Sequence, residues 1–263
     1  MLLEIVLLFL AGVFGGVLNS VAGGGSFITF PALLGAGVAP ISANATNTFA
    51  SCAGYLSGVF ALRQELAAHR AELPRLIGVS LLGGIAGAWL LLQTPEAVFR
   101  EAIPWLLLFA TVLFIYGGQI NLRLRALSAG HRHASAAGAV ALAGLLLAVC
   151  VYGGFFNAGL GIITLSYLAL AGHTNINAMN GLKLLVSTAV SLIAIGLFIA
   201  NGAIAWYEGT IVLAGTLVGG YGAAHVSRSL PQQHVRRFVI VASIAITGYF
   251  FFATYFIATP QGA

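Results

Sequence analysis

Charged residues are scarce in this sequence, and their scarcity excludes several classes of protein. Only 6% of its 263 residues are charged, and none of them is aspartate. An ordinary soluble domain carries about 25% charged residues, so a soluble fold is excluded. All six glutamates lie near loops or the terminus. No carboxylate is therefore left inside an apolar segment for acid–base catalysis or for coupling to protons or Na⁺.

Cysteine is rarer still, with two residues in the sequence. Cys52 and Cys150 both lie within apolar segments, so we interpret them as small packing residues rather than as disulfide partners or metal ligands. The sequence has no H-E-x-x-H motif, and no histidine lies near a glycine-containing break where it could activate Ser20 or Ser26. We therefore expect no enzyme activity, no cofactor and no bound metal.

The sequence consists instead of long apolar runs. Hydrophobic residues make up 60% of it, and its mean hydropathy is +1.01. The runs are continuous and rich in Leu, Ala, Ile and Gly, unlike the alternating strands of an outer-membrane barrel. We predict an all-α polytopic membrane protein with apolar segments at residues 2–20, 27–38, 43–62, 74–92, 98–119, 135–156, 161–171, 178–200, 206–227 and 237–257.

Two of these segments are too short to cross a membrane. At 1.5 Å per residue, residues 27–38 reach about 18 Å and residues 161–171 about 16 Å, against a hydrocarbon core of about 30 Å. Each follows a break that contains glycine and asparagine. Because freed backbone groups inside a bilayer must be buried in protein or line a wet cavity, we predict two half-helices beside a functional site.

The two halves of the sequence repeat one another. The stretch GGVLN at residues 15–19 recurs as GGFFN at 153–157, and N-x-x-N at 44–47 recurs as N-x-x-K at 180–183. Internal repeats of this kind are common in transporters. We predict a first repeat at residues 1–120, a cytoplasmic linker at 121–134 and a second repeat at 135–263.

Positive charge orients the predicted segments. Cytoplasmic loops are enriched in Lys and Arg, and three loops share nine arginines: Arg63, Arg70, Arg75, Arg123, Arg125, Arg132, Arg228, Arg236 and Arg237. For these loops to share one side, each break must be the tip of a re-entrant hairpin. Each half then has five arms, so one half is inverted relative to the other. We predict two inverted repeats, each a re-entrant helical hairpin plus three transmembrane helices, in the inner membrane with both termini outside.

The start of each half-helix is the predicted binding site. Unpaired N–H groups and the positive end of the helix dipole favour an anion there, and glycines allow a ligand to approach the backbone. We expect Ser26 to cap the first half-helix and Gly159 and Gly161 to form the second tip. The alternative is that the glycines only allow tight helix packing.

Lys183 is the predicted partner of the anion. It is the one charged side chain that we place within a membrane segment away from both loop ends, where a cation costs about 2.5–3.5 kcal/mol on insertion scales. No acid is available nearby, so we expect Lys183 to face the first break from the other half and to bind substrate. The alternative is that it snorkels to the cytoplasmic interface.

Asparagine amides complete the predicted site because they can hydrogen-bond an oxyanion. Helix capping is an equal alternative for Asn44 and Asn177, which lie at predicted helix starts. The residues predicted to bind substrate are Asn19, Gly23, Gly24, Gly25, Ser26, Asn47, Asn157, Gly159, Gly161, Asn180 and Lys183.

Motifs in both halves point to one family. A glycine-rich break continues into a T-x-P-x-L helix at residues 19–33, and A-x-x-T-N follows at 43–47. The second half carries Lys183 and the turn GAIAW at 202–206. In these features the chain resembles the sulfite exporter TauE/SafE family of bacterial membrane proteins, and the likeness spans essentially the whole chain. The resemblance implies export of sulfite, sulfonates or related small sulfur oxyanions.

We therefore predict an alternating-access exporter of a small anion. Export needs no coupling ion, because an inside-negative potential contributes about 2.3 kcal/mol per charge per 100 mV. An anion channel and an accessory subunit without transport of its own are the alternatives. The expected partners are the substrate and the lipid bilayer, with a homodimer as an open alternative to a monomer. Nucleic acid is not expected, since membrane topology accounts for the net charge of +5.

Overall fold

The computed structural model describes residues 2–21, 24–129, 136–226 and 232–257, and these ranges contain helices and no strands. The helices are α1 (Leu2–Val21), α2 (Ser26–Gly35), α3 (Pro40–Ala61), α4 (Arg63–Ala68), α5 (Leu73–Gln93), α6 (Glu96–Ala129), α7 (Ala136–Phe155), α8 (Leu160–Leu170), α9 (Ile176–Ala200), α10 (Trp206–Val226) and α11 (Gln232–Phe252). A π-helical turn, Ala253–Ile257, follows α11.

The predicted all-α fold is confirmed, and each of the ten predicted segments corresponds to one helix. Helix α4 was not predicted, because its sequence RQELAA contains too few apolar residues to form a hydrophobic run. The predicted end of α6 at residue 119 was too early: the helix continues to Ala129, into the segment predicted as the linker.

Six of the described helices are long and apolar enough to cross a membrane, namely α1, α5, α6, α7, α9 and α11. Helices α3 and α10 are long enough, at about 33 and 31 Å, but their described residues contain no 18-residue stretch that is equally apolar. Large apolar side chains such as Leu82, Val140 and Val241 are exposed, as lipid contact requires. The chain is a multi-pass membrane protein.

Helices α2 and α8 are the predicted short helices, at 10 and 11 residues.

Glycines allow the closest helix crossings. Helix α1 packs on α10, and α5 packs on α7. A Cβ atom on Gly16 would overlap the Thr216 carbonyl oxygen of α10, and one on Gly87 of α5 would overlap the Val151 carbonyl oxygen of α7. Such close approach allows extensive van der Waals contact between the helices. These contacts drive helix association in a membrane, because no hydrophobic effect operates between helices in lipid.

Helices α3 and α9 pack against each other and carry buried polar residues. Beside them α6 packs on α11, where the hydroxyls of Thr111 and Thr247 form a hydrogen bond of 3.1 Å. The short helices α2 and α8 lie against α3 and α9, respectively. The described residues of both chain breaks, Gly24 and Gly25 in the first and 156–159 in the second, are buried.

Candidate functional site

The first break leads directly into α2. Gly25 occupies the N-cap position with helical dihedral angles, φ −59° and ψ −37°, and no side chain caps the helix. A Cβ atom on Gly25 would overlap the Gly15 carbonyl oxygen of α1, so glycine is required for this close turn. The prediction that Ser26 caps α2 is wrong, because Ser26 is already the first helical residue. Gly23 lies outside the described residues.

Asn47 holds the first turn of α2. Its amide nitrogen donates to Ser26 Oγ at 3.2 Å, and its amide oxygen accepts a hydrogen bond from the Thr29 hydroxyl. All three side chains are buried. Asn47 is the eighth of 22 residues in α3, so the start of α2 lies about a third of the way along that helix. This contact brings together Ser26 and Asn47, two of the predicted site residues.

The second break is held by side chains from both halves. Gly159 has φ +83°, a conformation that favours glycine, and α8 starts at the next residue. The Tyr55 hydroxyl donates to Asn157 Oδ1 at 2.7 Å, and Asn157 Nδ2 donates to Ser191 Oγ at 3.2 Å. Asn44 Nδ2 donates to the Phe155 carbonyl oxygen at 2.9 Å. Asn44 therefore ties α3 to the end of α7 and does not cap its own helix.

Helix α6 contacts both breaks. A Cβ atom on Gly24 would lie 3.3 Å from the Phe114 ring, and one on Gly159 would lie 3.2 Å from Cβ of Ala110. Ala110 and Phe114 are one turn apart on the same face of α6, about 6 Å along its axis. The structure therefore brings the two breaks, far apart in the sequence, against one short stretch of helix.

Lys183 lies beside the second break. It is half-buried in the second turn of α9, and its Cδ atom would lie 3.3 Å from a Cβ atom on Gly161. Gly161 belongs to the first turn of α8, whose N–H groups and dipole are positive. Lys183 was predicted to face the first break, whereas this contact is with the second. Among the described residues, no carboxylate forms an ion pair with Lys183.

Two further polar side chains lack partners within the described part of the chain. The Thr188 hydroxyl is buried without a hydrogen bond, and the half-buried Asn19 has none either. Leu184 of α9 packs on Gly58 of α3, so Thr188, one turn later, lies on the same face. The Asn19 amide nitrogen would lie 3.4 Å from a Cβ atom on Gly54 of α3. Both groups thus lie along α3.

The remaining predicted residue, Asn180, is half-buried, and no hydrogen bond from its side chain occurs among the described residues. The cap of α9 is Asn175, whose side chain accepts from the N–H groups of Asn177 and Ala178. Capping by Asn177 is therefore wrong.

Sequence reasoning missed four polar residues of this region: Thr29, Tyr55, Thr188 and Ser191. A signal for two of them was present, because Tyr55 and Ser191 occupy matching positions of the repeat and are both bonded to Asn157. No sequence pattern distinguishes Thr188 from the other hydroxyl residues of α9.

The Tyr55–Asn157 bond gives a stability prediction. Tyr55→Phe leaves a buried amide oxygen without its donor, so we expect a loss of about 1–3 kcal/mol in the free energy of unfolding. The measurement is denaturation of the purified protein in detergent. Tyr207→Phe, which changes an exposed tyrosine, is the control. Equal stability of the two variants would contradict the assigned bond.

The chain is similar in sequence to a family of membrane proteins. The family model for the sulfite exporter TauE/SafE matches residues 8–250. Escherichia coli K12 "Probable membrane transporter protein YfcA" is 27% identical over 243 residues, covering 91% of this chain and 87% of that protein. A Haemophilus influenzae "Probable membrane transporter protein" is 26% identical over 246 residues, covering 92% of each. No solved structure gives a significant match. The chain belongs to the sulfite exporter TauE/SafE family of membrane transporters.

Proposed function

We propose that the chain transports a small anion that binds between the first turns of α2 and α8. The single observation that carries the proposal is Lys183, a cation beside Gly161 at the start of α8 with no carboxylate partner among the described residues. A cation and a helix N-terminus repel each other unless an anion lies between them. The predicted residues Asn19, Gly23–Gly25, Asn157 and Asn180 are proposed to line the same site.

We also propose that the fold is two inverted repeats. The helix contacts support this, because they occur in pairs: α1 with α10 matches α7 with α5, and α2 with α11 matches α8 with α6. Thr111 and Thr247, 136 residues apart, are bonded to each other, as equivalent residues at a twofold axis would be. The equivalent residues Asn47 and Lys183 each lie at the first turn of a half-helix.

The direction of the central helices supports inversion rather than simple duplication. Gly58 of α3 contacts Leu184 of α9. Tyr55, nearer the start of α3, is linked through Asn157 to Ser191, farther along α9. The equivalent helices α3 and α9 therefore run antiparallel, which inverted repeats require.

The proposed substrate is sulfite, a sulfonate or a related sulfur oxyanion. The family name and the positive character of the site both support this class. The proposed mechanism is alternating access around a site near the midplane of the inner membrane, with both termini outside. We propose export, because the potential drives an anion outward without a coupling ion.

Flux from proteoliposomes that contain only this chain tests the function. We expect saturable, strongly temperature-dependent efflux of sulfite or methanesulfonate that an inside-negative potential accelerates and that external substrate stimulates. Efflux without saturation or stimulation by external substrate would indicate a channel instead. An inactive purified chain would favour the accessory-subunit alternative, and efflux indifferent to the potential would contradict electrogenic export.

A further inference from the structure

Three metal-ligating side chains meet outside the proposed anion site. His69 and Glu72 lie between α4 and α5, and His173 lies between α8 and α9. His69 Nδ1 is 2.8 Å from Glu72 Oε1, and His173 Nε2 is 3.3 Å from Glu72 Oε2. The three potential ligand atoms lie within 4.8 Å of one another. We propose that this His69–Glu72–His173 cluster binds Zn²⁺ or a similar first-row divalent cation.

The donor set fits such an ion. Two imidazole nitrogens and one carboxylate, with water in the remaining position, are a common set of Zn²⁺ ligands. Ligand atoms about 2.1 Å from a tetrahedral ion are about 3.4 Å apart. The histidine nitrogens lie 2.8 and 3.3 Å from the two oxygens of Glu72, and the three potential ligand atoms are all within 4.8 Å of one another. Small side-chain rotations would bring all three atoms onto one ion. The order of affinities for nitrogen and oxygen ligands favours the later first-row ions, including Zn²⁺.

The backbone positions these side chains in advance. The Glu72 N–H donates to the His69 carbonyl oxygen at 3.1 Å, and the His173 N–H donates to the Leu168 carbonyl oxygen at 3.0 Å. Leu66 of α4 packs near Gly181 of α9, which holds the two connections together. Side-chain exposures of 31%, 34% and 16% for His69, Glu72 and His173 leave the cluster open to an entering ion.

The charge of Glu72 is available to a cation. The neighbouring Arg75 donates to the Ala139 carbonyl oxygen at 3.3 Å, and the ion pairs of Glu72 within the described ranges are those with the two histidines. A bound ion would join the α4–α5 connection of the first half to the α8–α9 connection of the second half. Binding should therefore stabilise the folded protein against separation of these segments.

Metal binding to the full-length, tag-free protein in detergent tests the proposal. After removal of metal with a chelator, equilibrium dialysis against ZnCl₂ should give one Zn²⁺ per chain and a higher melting temperature. Co²⁺ in place of Zn²⁺ should give visible absorption bands. His69→Gln, Glu72→Gln and His173→Gln should each weaken Zn²⁺ binding by at least about 10- to 100-fold, the loss that removal of an outer-shell partner already causes, and each should lose the bands.

Two controls separate this cluster from other zinc-binding groups. Glu65→Gln removes a carboxylate of α4 that is outside the cluster, and the double variant His131→Gln, His133→Gln removes the H-x-H pair of the sequence; both should retain the ion. The proposal is overturned if the wild type binds no Zn²⁺. It is also overturned if cluster variants that melt like the metal-free wild type retain Zn²⁺ binding, or if the H-x-H variant loses it.

Discussion

Lys183→Gln is expected to weaken anion binding by about 10- to 100-fold, the equivalent of one hydrogen bond to a charged group, and to reduce transport accordingly. Glutamine keeps most of the length of the side chain and removes the positive charge beside Gly161. The measurement is the substrate dependence of efflux from proteoliposomes. Lys183→Arg should retain part of the activity, because arginine keeps the charge but places a larger planar group against α8.

The stability of the same variants separates a binding role from a structural one. Removal of a cation from a membrane segment lowers the cost of inserting it, so Lys183→Gln should melt at or above the wild-type temperature. Arg100→Gln, which removes an exposed positive charge, is the matched control and should transport normally. Unchanged anion affinity in Lys183→Gln would favour the snorkelling alternative and contradict the assigned site.

Gly87→Ala is expected to destabilise the protein strongly. Its new methyl group would overlap the Val151 carbonyl oxygen and come within 2.7 Å of the Phe155 nitrogen, and neither backbone atom can move aside without separating α5 from α7. Overpacking of this kind costs about 1–3 kcal/mol or more. Thermal denaturation in detergent measures the effect.

The matched control lies on the same helix. No atom would lie within 4 Å of a Cβ atom on Gly78, and alanine is favoured over glycine inside a helix by about 0.5–1 kcal/mol. Gly78→Ala should therefore be neutral or stabilising. A Gly87→Ala protein as stable as Gly78→Ala would show that the α5–α7 crossing is not this close.

Most of the helices could be predicted from the sequence, because a helix that crosses a membrane needs about 20 predominantly apolar residues. Continuous apolar runs located ten helices, and the lengths of residues 27–38 and 161–171 identified α2 and α8 as short. Helix α4 could not be predicted in this way, because it is short and polar and therefore produces no apolar run. The end of α6 was predicted incorrectly, because the helix continues beyond its apolar part.

Tertiary contacts account for what the sequence could not predict. Ser26 fits the composition of an N-cap, but the helical conformation of Gly25 places it inside the first turn, where it bonds Asn47 from α3. The partner of Asn157 is Tyr55, 102 residues away. The His69–Glu72–His173 cluster likewise exists only once α4 and the start of α9 meet, so its spacing resembles no metal motif.

Protection of Lys183 from chemical modification tests the central claim most directly. Lys183 is the single lysine of the chain, so an amine-reactive reagent followed by peptide mapping reports on it and, separately, on the N-terminal amine. At constant ionic strength, methanesulfonate or sulfate in exchange for chloride should slow modification of Lys183 in a saturable way and leave the N-terminal amine unaffected. Modification of Lys183 at the same rate in every anion, or equal slowing at both amines, would contradict an anion site at this lysine.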